Sequence, residues 1–82
     1  MKTIKQALIE QRDGAISQKA FYMVHKAMHD GLDMEEFALT MNSKGESQQN
    51  KRGDIVKKLE SDIEGIELII SKIDGLLDGN RE

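Results

Sequence analysis

The segment DGLDMEEFALTM, residues 30–41, decides how the first half of this chain is built. Gly31 supplies a left-handed residue that stops a helix, Leu32 can fold back onto that helix, and Asp33 is a favoured N-cap. With Glu36 three residues on, Asp33 forms an acidic variant of the capping box. Asp33, Glu35 and Glu36 all sit where a helix dipole favours negative charge. The segment therefore reads as stop, turn and start. It predicts a short helix over residues 34–41 with Phe37 and Met41 on one face.

Upstream, Thr3 and Gln6 fit a capping box, in which each side chain satisfies a backbone N–H at a helix start. Ile4, Leu8 and Ile9 share a face, and Gly14 is expected to end this first helix near Arg12 or Asp13. Ser17 is the expected N-cap of a second helix, striped by Phe21, Val24 and Met28 and running to about Asp30. Proline is absent, which suits a helical chain.

Downstream, NSKGESQQNKRG, residues 42–53, has no apolar side chain and reads as a flexible polar linker. Beyond it Val56, Leu59, Ile63, Ile66, Ile70, Ile73 and Leu77 alternate spacings of three and four, a heptad seam over residues 54–78. Ile55, Ile69 and Leu76 widen that seam on one side, which suits a bundle better than a two-stranded coil. The other flank carries Glu60, Glu67 and Asp74, with no lysines placed to complement them in a parallel pair. The expected architecture is all-α in a single domain: three short helices within residues 3–41, a polar linker at 42–53 and one long heptad helix.

Eighty-two residues bury only about 60% of their unfolded surface, so stability is marginal unless assembly or a partner adds to the core. No cysteine is available for disulfides or thiolate metal sites. The formal charge of −3 argues against nucleic acid, and no run approaches the roughly 18 apolar residues of a membrane span. The first residues carry charges too often for a signal-peptide core, so a cytosolic location is expected.

Candidate chemistry is thin. His25 and His29 lie one helical turn apart, but Lys26 stands where a zinc-protease helix needs glutamate, and Asp33 is the one local third ligand. Aligning Gly14 with the sixth position of a calcium loop puts Ile9 at the first position, Gln11 at the third and Ala20 where a bidentate Glu belongs, so the two main ligands are missing and the site is excluded. A helix-turn-helix reading fails because MEEFALTM offers no donors to phosphates or base edges. Lys51, Arg52, Lys57 and Lys58 form the one basic group, with Glu60, Asp62, Glu64 and Glu67 immediately downstream. No nucleophile-base arrangement can be assembled, and Gly65 and Gly75 lie on the polar side of a helix, unlike a phosphate loop. No catalytic residue, cofactor or metal is expected. Leu68 lies opposite the seam and, with Ile69, Phe37 and Met41, is the expected contact surface for a protein partner.

The stretches MKTIKQALIEQRDG and HKAMHDGLDMEEF, in a cysteine-free helical chain of this length, resemble the small lysis-inhibition accessory proteins of T4-like phages, products of a rapid-lysis locus. The resemblance covers the whole chain but rests on overall character, with no diagnostic motif. It implies a cytoplasmic antiholin that binds the short cytoplasmic segment of the phage holin and delays host lysis. It carries over neither a catalytic motif nor a contact residue. The rival expectations are a small nucleic-acid-binding regulator using the basic group, and a helical protein that assembles through its own seam.

Overall fold

The computed structural model describes residues 2–41 and 43–79. Two long helices run antiparallel: α1 spans Ile4–Ala27 and α2 spans Arg52–Gly79, and between them lie strands β1, Phe37–Met41, and β2, Ser47–Lys51. The chain is mostly helical, but the expected three amino-terminal helices are not there. One continuous helix and a β-ribbon replace them.

The start of α1 is as read: Gln6 N–H donates to Thr3 Oγ1 at 3.1 Å, and Thr3 N–H donates to Gln6 Oε1 at 3.0 Å. Gly14 does not end the helix, nor does Ser17 start another, because α1 passes through both. A glycine within a helix costs about 1 kcal/mol, which the flanking residues and the packing on α2 outweigh. That continuity fixes the rotational phase of everything downstream. At about 3.6 residues per turn, Phe21, Val24 and Met28 fall roughly opposite Ile4 and Leu8. The half-buried stripe of α1 is instead Leu8, Arg12, Ala15, Lys19, Tyr22 and Lys26, while Phe21, Val24 and Met28 are exposed. The long basic side chains run their stems along α2 and put their heads at its flank, Arg12 on Asp74 at 3.2 Å and Lys26 on Glu60 at 3.9 Å.

Gly31 is left-handed, with φ of 79°, but α1 has already ended at Ala27 with Met28 as its C-cap, so the glycine reverses the chain beyond the helix and does not stop it. Asp33 does cap the backbone, its Oδ1 accepting from Glu35 N–H at 3.0 Å, but only one turn follows before the chain becomes extended. β1 pairs antiparallel with β2, Phe37 opposite Lys51, Leu39 opposite Gln49 and Met41 opposite Ser47. In place of the expected helix over 34–41 there is a turn at 34–36 followed by β1, and the expected linker supplies β2 and the first two residues of α2. Asn42 lies outside the described residues. SQQNK has little strand preference of its own. It is held as β2 by the ladder to β1 and by the short reversal at 43–46, where Gly45 takes φ of 80°.

The heptad helix is present over the expected range and begins two residues earlier. Its seam faces α1: Ile66 and Ile73 are buried, and Val56, Leu59, Ile63, Ile70 and Leu77 are half-buried. Gly75 lies on α2 with nothing within 4 Å of where a Cβ would stand. Gly75→Ala should therefore raise stability by about 0.5–1 kcal/mol in a urea titration, through the helix propensity of alanine alone.

Candidate functional site

The turn between the helices is organised by Arg52, the first residue of α2. Its Nε donates to Asp33 O at 3.2 Å, Nη1 bonds His29 Nδ1 at 2.9 Å, and Nη2 donates to Glu36 Oε1 at 3.1 Å. Its backbone N–H donates to Glu36 O at 2.8 Å, and Gly53 N–H donates to Met34 O at 2.8 Å. The Arg52 side chain is only 11% exposed. One guanidinium thus ties the end of α1, the turn at 33–36 and the start of α2 together, using the fixed fork that lysine lacks. A guanidinium only donates, so His29 Nδ1 is the acceptor in this contact.

The polar groups of His29, Asp33 and Glu36 are thus all engaged by Arg52. His29 is spent on Arg52, and His25 packs its ring against Phe21 at a centroid distance of 4.5 Å. Among the described residues no three His, Asp or Glu side chains converge to hold a metal. The basic group is largely neutralised within the chain: Lys51 pairs with Glu35 at 3.1 Å, Arg52 with Glu36, and Lys58 with Asp62 at 3.3 Å. A phosphate would have to compete with those carboxylates at Lys51, Arg52 and Lys58, though not at Lys57.

What remains is exposed apolar surface, and it lies in separate places. Phe37 and Met41 keep a common face, because positions four apart fall on one side of a strand as they do on a helix. The strand adds Leu39 between them, and the three are 59%, 68% and 71% exposed. The helical reading missed Leu39 by rotating it off that face. The signal for it was the alternation in FALTM. The opposite face of the ribbon is half-buried at Ala38, Thr40 and Asn50, where Asn50 Nδ2 donates to Thr40 Oγ1 at 3.2 Å.

Leu68 and Ile69 are 67% and 53% exposed, but they do not form one wall with Phe37 and Met41. Sixteen residues of helix, about 24 Å, separate Leu68 from the ribbon end of α2. The expected single groove is thus replaced by two surfaces. Leu68 points away from α1, while Ile69 borders a shallow depression of about 310 Å³ between the helices, lined also by Glu10, Gln11, Gly14, Ala15, Gln18 and Ile66.

The fold and its open surfaces define a helical hairpin with a β-ribbon at its turn, offering apolar contact area and shallow depressions along the helices. Compared with known proteins, the chain matches no family model, no curated protein and no solved structure. No helix among the described residues is long and apolar enough to cross a membrane.

Proposed function

We propose that this chain is a non-enzymatic binding protein that takes an amphipathic segment of another protein on the apolar face of its ribbon. The carrying observation is the row Phe37, Leu39 and Met41, three large apolar side chains side by side and each more than half exposed. Single exposed apolar residues are ordinary, whereas a contiguous row on a two-stranded ribbon is a contact surface in want of a cover. Methionine suits it, since its unbranched side chain adapts to an incoming partner. Both strands also have a free edge among the described residues, which can add backbone hydrogen bonds to an extended partner.

The resemblance to lysis-inhibition proteins names the partner: the short cytoplasmic segment of a phage holin, bound in the host cytosol so that lysis is delayed. The ion-paired state of Lys51, Arg52 and Lys58 makes a nucleic-acid partner the weaker alternative. Isothermal titration with a purified holin segment tests the reading. Leu39→Lys should weaken binding at least tenfold, about 1.4 kcal/mol, and leave the melting temperature unchanged because Leu39 packs on little of its own chain. If the unmodified protein releases no heat and binds nothing, the antiholin reading is wrong. Full binding by the Leu39 variant would remove the ribbon as the site.

A further inference from the structure

We infer that the protein is a homodimer, two hairpins stacked face to face into a four-helix bundle through the face that carries Ile55, Ile69 and Leu76 of α2 with Gln11, Gly14 and Gln18 of α1. The first ground is shape. The Cα atoms span 52 × 26 × 14 Å, so the molecule is one layer of helices deep, whereas a stable domain closes its core between two layers. The radius of gyration is 16.5 Å, against about 12 Å for a compact chain of this length.

Area decides whether one more copy is enough. The chain exposes 6445 Å², and a compact protein of this mass exposes about 5,000 Å², a surplus on the order of 1,400 Å². A stable interface takes about 800 Å² from each partner. Covering one face of the hairpin with a second copy therefore accounts for more than half of the surplus.

Charge chooses the face. On one side of the hairpin Lys19 lies beside Glu67, Ile70 and Asp74, and the pairs Arg12–Asp74 and Lys26–Glu60 cross the same boundary. A two-fold interface sets a surface against itself, so stacking there would bury the acids Glu60, Glu67 and Asp74 together with the heads of Arg12, Lys19 and Lys26, six charges that are costly to take out of water. The other side has glutamine, glycine and isoleucine at its centre. It carries fewer charges: Glu10 lines the depression and pairs with Lys2, and Asp62 pairs with Lys58. Ile69 and Leu76 are 53% and 59% exposed there, and nothing lies within 4 Å of a Cβ built on Gly14, so a facing helix can come close. Stacking also closes the depression that Gln11, Gln18 and Ile69 line.

Light scattering on the eluting full chain, with circular dichroism on every variant, tests this. The parent should elute with the mass of two chains at tens of micromolar, and its melting temperature should rise with protein concentration. Ile69→Lys and, separately, Gln18→Lys should keep helical content yet raise the dissociation constant at least about a hundredfold, the effect of a charge at an interface centre. Gln18 is exposed and outside the α1–α2 core, so its variant reads association alone. Leu68→Lys, on the far side of α2, should leave the dimer intact. A monomeric parent overturns the proposal, as does a dimer that both Ile69→Lys and Gln18→Lys leave unchanged.

Discussion

Ile66→Asp is expected to leave the chain without a cooperative melting transition at room temperature. Ile66 is 7% exposed, the most deeply buried apolar side chain among the described residues. Removing its apolar area forfeits about 1.5–3 kcal/mol, and seating a carboxylate between two helices adds a further several kcal/mol. A single core of this size rarely supplies more than about 3–5 kcal/mol, so the loss exceeds what is there to lose. Far-UV circular dichroism against temperature reads the result. Leu68→Asp, two residues away and 67% exposed, is the control and should melt like the parent. If Ile66→Asp also melts like the parent, the helices do not share this seam.

Arg52→Ala should be the most damaging single change outside the seam. It removes three side-chain hydrogen bonds from one nearly buried guanidinium, to Asp33 O, His29 Nδ1 and Glu36 Oε1. Glu36 is exposed and regains water, so the expected cost is about 1.5–3 kcal/mol, below the sum of three charged bonds. The loss should be local before it is global. Amide exchange at 37–41 and 47–51 should quicken far more than in the middle of α2, because Arg52 anchors the ribbon to both helices. Arg52→Lys should recover little of this, since one ammonium cannot reach three acceptors in three directions. Equal exchange protection of the ribbon in the alanine variant would show that the strands hold themselves in place.

Both predictions depend on features with very different visibility in the sequence. The spacing of the seam was legible: seven apolar residues at alternating spacings of three and four form the inward face of α2, buried or half-buried. Heptad spacing is a local property, and a long helix expresses it whatever the partner. The Arg52 cluster was not legible. His29, Asp33, Glu36 and Arg52 each had a sufficient local explanation as a helix-face or capping residue, and nothing in their spacing announces a shared guanidinium.

The sequence by itself determined the capping box at Thr3, the left-handed turn at Gly31 and the phase and extent of the carboxy-terminal helix, because each depends on neighbours within one or two turns. Only the tertiary structure decided the rest. Residues 37–41 satisfy a helix face and a strand face equally well, since positions four apart coincide in both. The choice falls to a distant partner, SQQNK, whose ladder satisfies the backbone that a helix would have satisfied internally. Gly14 and Ser17 carry the local marks of a break, yet α1 runs through them because it packs on α2 both before and after them, from Leu8 to Lys26. That continuity turns Phe21, Val24 and Met28 outward and leaves α2 facing the stems of Arg12, Lys19 and Lys26. Rotational phase along an unbroken helix is set at the docking surface, and no local pattern of apolar residues can state it.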